Sequence, residues 1–384
     1  MNFEESPIQS ELRNLTRKFA QKELLPIIEA DERDARFRPE MVQKLGELGL
    51  TGIPVPEAYG GAGLGYQEYI CALEELASVN TGYAISVAVT GLAQVILNLF
   101  GNEEQKNRYI PPLASGKAIG AFSLSEASSG SDAASLITSA KKTGDHYVIN
   151  GTKLWTTQGD IADTILLMAR TGQAGPQGIS SFIIEKNTPG LTLGKIEKKM
   201  GCATSHTCEL IFNQCKIPAK NLIGSEGNGF KVAMTALDSG RITIAAGAIG
   251  IGKAALEASL RHAREREQFG KPIGEFQGVS FMLADMATEL SAAELMVQRA
   301  AWLKDNDQPY SQAAAMAKLY ATDAAMRITT NAVQVLGGSG YTQDFPVERY
   351  MREAKVLQIV EGTNQIQRMI IGRALLAEME RKSL

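Results

Sequence analysis

The chain has 384 residues, 44% hydrophobic and 21% charged, a profile that lets a water-soluble protein bury a large core spread over two or three domains. Lys and Arg number 39 against 42 Asp and Glu, a formal net charge of -3, so nothing in the bulk balance attracts nucleic acid or an anionic membrane. Cys71, Cys202, Cys208 and Cys215 form no Cys-x-x-Cys pair, and with only His146, His206 and His262 beside them they give no metal-ligand spacing; a metal centre, a disulfide framework and a Ser-His-Asp hydrolase are all poor fits.

The first residues mix acids and bases without an apolar core segment and read as neither a signal nor a transit peptide, so a cytoplasmic protein is expected. Residues 1–118 read as an all-α domain, with apolar Leu12, Leu15, Phe19 and Leu24 in one helical run and Met41, Leu45 and Leu48 in another; IPVPEAYGGAGLG is a loop by composition. No charge occurs between Glu75 and Glu103, a length that could span a bilayer. Asn80, Thr81, Thr90, Gln94 and Asn98 within it argue for a buried helix and against membrane insertion.

Over residues 119–225 the texture changes to short β-prone runs (AIGAFSLSE, HYVING, KLWTTQ, DTILLMART, GISSFIIEK, LTLGKIE, CELIFNQ), divided by Gly-Asp, Asn-Gly and Gly-Pro turn signals. Strands in succession without helices between them predict an antiparallel barrel or sandwich. Helical periodicity returns over 226–384 in four long, Ala- and Met-rich segments, which predict an antiparallel four-helix bundle. The expected fold is multi-domain α+β: N-terminal helical domain, middle antiparallel β-barrel or sandwich, C-terminal four-helix bundle.

Gly247 to Ala254 imitates a phosphate-binding loop, but Ala254 lacks the hydroxyl such a loop places on magnesium and the stretch lies inside a helical run, so close helix packing explains the glycines. Phe122-Ser-Leu-Ser-Glu-Ala-Ser-Ser-Gly-Ser-Asp132 follows the first strand and is either a Ser-rich turn or a loop whose N–H groups meet a polar ring edge or an anion. Lys153-Leu-Trp-Thr-Thr157 puts Trp155 on a strand, as core or as a platform for a cofactor. Arg264 to Gln277 ends a charged helix in Phe-Gly and a proline turn. In Ile359-Val-Glu361-Gly-Thr363, Thr363 can N-cap the last helix and leave Glu361 on the junction.

In this order, from about Pro7 to Leu376, these four patterns resemble the acyl-CoA dehydrogenase family, most nearly its short-chain members. The resemblance implies FAD and an acyl-CoA thioester enclosed by the three domains. Phe122, Leu124 and Ser125 resemble positions lining the flavin ring, Gly130 and Ser131 lie near its pyrimidine edge, and Trp155 and Thr157 resemble the pair packed on the ring. Arg266, Phe269 and Gln277 are similar to positions reaching FAD of a neighbouring subunit, in a homotetramer built as a dimer of dimers. Gln334, Gly338, Thr363 and Gln365 resemble those gripping the adenine and diphosphate portion. Ser131, Asp238, Arg241, Val360 and Gly362 stand on the substrate side.

Glu361 matches the family's catalytic base, which removes the α-proton while hydride leaves the β-carbon for flavin N5, giving a trans-2-enoyl-CoA; an electron-transfer flavoprotein is the implied acceptor. Some relatives carry the base on the first bundle helix, where this chain has Ser239 and Gly240. Three departures stand out: Ala203 where the family commonly has arginine, Val360 where tyrosine is common, and Gln158 in place of asparagine. The alternatives are the same chemistry on branched or alicyclic acyl-CoA, an acyl-CoA oxidase, and a non-catalytic flavin- or acyl-CoA-binding scaffold.

Overall fold

A computed structural model describes residues 4–382. Ser6 and Gln9 close a capping box at the start of α1 (Pro7–Phe19), which passes through a π-helical turn (Ala20–Leu24) into α2 (Leu25–Arg33). α3 (Pro39–Glu47), α4 (Tyr66–Val79), α5 (Thr81–Phe100) and α6 (Glu103–Ala114) complete the first helical segment. Asn80 alone separates α4 from α5: its extended backbone ends one helix and its side chain accepts from Tyr83 N–H at 2.9 Å to cap the next.

α5 is the charge-free stretch. It and a later helix are long and apolar enough to cross a membrane, but in each 72% of the most apolar window is buried inside the fold. Two of its polar side chains reach partners in neighbouring segments. Thr90 Oγ1 accepts from Gly120 N–H at 3.3 Å, and Gln94 donates to the Thr51 carbonyl at 3.0 Å.

Eight strands follow in one sheet: β1 (Gly120–Ser123), β2 (Ser139–Thr143), β3 (His146–Thr157), β4 (Thr164–Arg170), β5 (Ile179–Glu185), β6 (Leu191–Ile196), β7 (Thr207–Pro218) and β8 (Leu222–Ile223), paired in the order β6-β7-β3-β2-β4-β5-β8 with β1 on β4. Most pairs are antiparallel. β1 runs parallel to β4, and β2 bridges β4 in parallel at Ser139 and Arg170. HYVING and KLWTTQ, which the sequence separates at Asn150-Gly151, form the single strand β3. Gly151 sits at φ +148° in a bulge against β7, with no room for a Cβ beside Thr138, and the chain continues instead of turning.

The third segment contains α7 (Gly229–Glu265), a two-strand hairpin of β9 (Glu267–Gln268) and β10 (Lys271–Pro272), α8 (Gln277–Asp305), α9 (Ser311–Leu336), a short α10 (Val347–Leu357) beyond the four long helices expected, and α11 (Asn364–Lys382). α7, α8 and α9 pack on one another, α10 and α11 lie against α9, and α4 lies across α7 and α8. The imitation phosphate loop is continuous helix here: a Cβ at Gly250 would come 2.2 Å from the Glu74 carbonyl, so this glycine lets α7 and α4 touch backbone to backbone. One core joins α1–α5 to the bundle; a second joins α5, α6 and α7 to the outer face of the sheet; a third fills the sheet's inner face. The four thiols are buried and unbridged.

The loop carrying Ala203 is tied down without a polar side chain at that position. Glu32 of α2 accepts from the N–H groups of Ala203 (2.9 Å) and Thr204 (3.2 Å), from the Thr204 hydroxyl (2.6 Å) and from Asn80 (2.9 Å). Burial pushes this carboxyl up, but these donors outweigh it and hold Glu32 below the usual carboxylate range.

Candidate active site

α10 ends at Leu357 and α11 begins at Asn364; between them the backbone turns left-handed twice, at Glu361 (φ +55°) and Gly362 (φ +86°). A non-glycine residue held this way costs of order 1–3 kcal/mol and persists only where its surroundings fix it. They do so here. Lys318 of α9 donates to the Gly362 carbonyl at 2.9 Å, and Gln367 of α11 donates to the same carbonyl at 2.8 Å and to that of Glu361 at 3.2 Å. Asn364 N–H closes the turn onto the Gln358 carbonyl at 3.0 Å. Thr363 Oγ1 accepts from Ile366 N–H at 3.3 Å, the N-cap expected from the sequence.

The strained turn aims the Glu361 side chain at α7. A Cβ on Gly240 would lie 2.7 Å from Glu361 Oε2 and 3.2 Å from a Leu92 methyl of α5, so glycine at 240 is what makes room for the carboxyl. Oε2 is buried without a hydrogen-bond partner. Burial pushes the Glu361 carboxyl up to about 7, against the opposing pull of Arg241 and Lys318. Next to Gly240 on α7, Arg241 is buried and paired to Asp238, which also accepts from Ser311 Oγ at 2.9 Å. Burial holds Asp238 above its ordinary range. Val360 is half-buried against the bundle core. Glu361, Gly362, Val360, Asp238 and Arg241 thus come together where α7, α9 and the α10–α11 turn meet.

A second group forms on the sheet. Leu154 N–H donates to the Ser125 carbonyl at 2.9 Å and Ser123 Oγ meets Thr156 Oγ1 at 2.8 Å, so the serine-rich loop after β1 lies along β3. Phe122, Leu124, Ser125 and Thr157 are half-buried there, while Gly130 and Ser131 are exposed. Trp155 is not core: it sits at φ +61° in a bulge of β3 and is 57% exposed. Beneath this group is an ion pair that the sequence reading missed. Lys153, fully buried, donates to the Leu124 carbonyl at 2.7 Å and to Glu126 Oε1 at 2.8 Å, and Glu126 also accepts from the N–H groups of Ile137 (2.7 Å) and Thr138 (2.9 Å). Burial pulls the Lys153 ammonium down to about 8.

The remaining candidates lie elsewhere. Arg266 ends α7 some 25 residues beyond Arg241, roughly 38 Å along the helix. The β9–β10 hairpin turns at Phe269 (φ +55°) and Gly270 (φ +80°), leaving the Phe269 ring 95% exposed, and Gln277 opens α8. Gln334 and Gly338 flank the end of α9, where His262 of α7 stacks edge-on to Phe345. Thr363 and the exposed Gln365 line a surface pocket of about 270 Å³ with Asp323 and Arg368.

Lys318 is the other functional candidate not singled out from the sequence. It is fully buried, with its ammonium also 2.8 Å from Asn364 Oδ1. Its signal was legible: a lone lysine in phase with Ala314, Ala321 and Ala325 on the apolar stripe of α9.

Three family models match in order: the acyl-CoA dehydrogenase N-terminal domain over residues 6–117, its middle domain over 121–215 and its C-terminal domain over 227–376. An acyl-CoA dehydrogenase of Bacillus subtilis is 48% identical over 95% of this chain and 97% of its own. The solved butyryl-CoA dehydrogenase of Megasphaera elsdenii superposes with a TM-score of 0.96 at 44% identity, covering 98% of this chain and 100% of its own. A chain from a structure described as the electron transferring flavoprotein of Acidaminococcus fermentans, towards a mechanism of flavin-based electron bifurcation, superposes at 0.97 with 48% identity, covering 98% and 100%.

Proposed function

The chain belongs to the acyl-CoA dehydrogenase family, and we propose that it oxidises a short-chain acyl-CoA to the trans-2-enoyl-CoA with Glu361 as the base that takes the α-proton. The observation carrying this reading is the buried, unpartnered Oε2 of Glu361, lodged against Gly240 and pushed up to about 7. A carboxylate poised near neutrality can accept a proton and later release it, and an α-hydrogen beside a thioester is acidic enough for one such group. The Glu361 backbone N–H donates to the thioester oxygen as negative charge develops there. Arg241, paired to Asp238, keeps positive charge beside the carboxyl.

The family is FAD-dependent, and the sheet-side group fits a flat, partly polar ring: an outward-facing Trp155, half-buried Phe122 and Leu124, and loop residues Ser125, Gly130, Ser131 and Thr157. Bound FAD supplies the hydride acceptor. Arg266 lies roughly 38 Å along α7 from Arg241, and Phe269 is exposed on the neighbouring hairpin, which supports Arg266, Phe269 and Gln277 serving the cofactor of a second subunit in a dimer of dimers; Gln334, Gly338, Thr363 and Gln365 hold its distal portion. The Megasphaera enzyme's butyryl-CoA name supports a short acyl chain. The Acidaminococcus structure supports an electron-transferring flavoprotein as acceptor. Solubility in the cytoplasm fits the burial of both long apolar helices.

Anaerobic titration of the yellow protein with butyryl-, octanoyl- and isobutyryl-CoA tests the reading. Stoichiometric bleaching by butyryl-CoA supports it; no bleaching by any acyl-CoA refutes it. Bleaching by isobutyryl-CoA as readily as by butyryl-CoA would extend the substrate to α-branched chains, with Val360 leaving the room.

A further inference from the structure

Lys318 stands out as a charged side chain that packing does not explain. It is fully exposed to neither solvent nor a carboxylate: the buried ammonium donates to two neutral acceptors, the Gly362 carbonyl and Asn364 Oδ1, while its neighbours on α9 are Ala314, Ala315, Ala317 and Ala321. Burying an ammonium without a directly bonded anion is costly, and a methionine would fill the same volume at no such cost. Burial accordingly pulls the Lys318 ammonium down to about 7. The cost is recovered only if the donor has a use: the carbonyl it holds belongs to the second residue of the left-handed pair, so the bond fixes the turn that aims Glu361, whose Oε2 has no hydrogen bond of its own.

We propose that Lys318 is a positioning residue for Glu361: it pins the Glu361–Gly362 turn through the Gly362 carbonyl and so fixes where the carboxyl points. The inference rests on Glu361 being the base. Asn364 anchors the arrangement from behind, donating to Asp323 Oδ1 at 2.7 Å and to Thr322 Oγ1 at 2.9 Å, and Arg368 of α11 donates to Asp323 at 3.1 Å. The charged groups around Glu361 are Arg241 with Asp238 on α7, Lys318 and Asp323 on α9, and Arg368 on α11; α5 contributes none.

The test uses the FAD-loaded protein and two variants, Lys318→Met, which removes both donor and charge, and Lys318→Gln, which keeps a donor. Flavin reduction by butyryl-CoA is followed anaerobically across pH, and hydrogen exchange is measured in the peptide spanning residues 360–365. The limiting rate should fall about tenfold or more in Lys318→Met with KM changed less than about threefold, and should largely recover in Lys318→Gln; exchange should quicken in Lys318→Met but stay slow in Lys318→Gln. A wild-type rate and wild-type exchange in folded Lys318→Met, or a Lys318→Gln no faster than Lys318→Met, overturn the proposal; should Lys318→Met not fold, Lys318→Leu measured in the same way decides it. If Glu361→Gln reduces its flavin normally, the base assignment itself has failed; if that variant is dead while the Lys318 variants match the wild type, only the role of Lys318 has.

Discussion

Glu361→Gln should make the protein more stable at pH 8 while leaving its stability at pH 4.5 nearly unchanged. The carboxyl titrates near 4.5 when solvated and near 7 in the fold, because burial disfavours its charged form more than Arg241 and Lys318 favour it. The native state therefore binds the proton more tightly than the unfolded chain. The penalty is absent below pH 4.5, grows as pH rises through the interval, and is fully present above pH 7. At 1.36 kcal/mol per pH unit the gap is worth roughly 3 kcal/mol. The glutamine amide gives part of this back because Arg241 and Lys318 lose the attraction of the carboxylate, so a net gain of about 1–3 kcal/mol is expected, a rise of a few degrees in Tm. The assay is thermal unfolding of both proteins, saturated with FAD, at half-unit steps from pH 4.5 to 8.5. A Tm difference that does not vary with pH, or a wild type more stable at pH 8, would show that Glu361 is not held above its ordinary range and would remove the physical basis for its role.

Gly240→Ala puts a methyl 2.7 Å from Glu361 Oε2, so the carboxyl must move; kcat/KM should fall by about tenfold or more while FAD is retained, as measured by steady-state kinetics and flavin absorbance. Lys153→Met leaves Glu126 as a buried anion with only N–H partners, which should cost about 3 kcal/mol and weaken FAD binding, read from Tm and from equilibrium dialysis of the cofactor; undiminished FAD affinity would disconnect the ion pair from the serine-rich loop. Arg266→Ala should lose FAD on dilution and shift sedimentation away from a tetramer, whereas a stable yellow monomer in the parent protein would contradict the assembly.

Much of this was legible in the sequence because periodicity and turn chemistry report on local structure. The α, β, α succession, the burial of α5 despite its length, and the cap at Thr363 follow from spacing and residue type alone. What failed was what depends on distant partners. Asn150-Gly151 carries a turn signal, but pairing of β3 with both β2 and β7 holds the strand together and leaves the glycine to absorb a bulge. Trp155 could be read as core because strand alternation sets its face only if no bulge intervenes; one does, and the ring turns outward. Glu361 in isolation looks like a surface residue, and the room for its carboxyl is left by Gly240, which is 121 positions earlier in the chain. Lys153 and Lys318 lay in plain view on apolar stripes, yet their partners, Glu126 and the Gly362 carbonyl, are set by the fold.

The most direct measurement is rapid mixing of the Glu361→Gln protein with butyryl-CoA under anaerobic conditions, beside the wild type. The variant should remain yellow and bind butyryl-CoA, seen as a perturbed flavin spectrum, yet its flavin should bleach at least about 10²-fold more slowly, the scale of a lost positioned base. Bleaching within a few fold of the wild-type rate would place the α-proton on some other group and contradict the role assigned to the buried carboxyl.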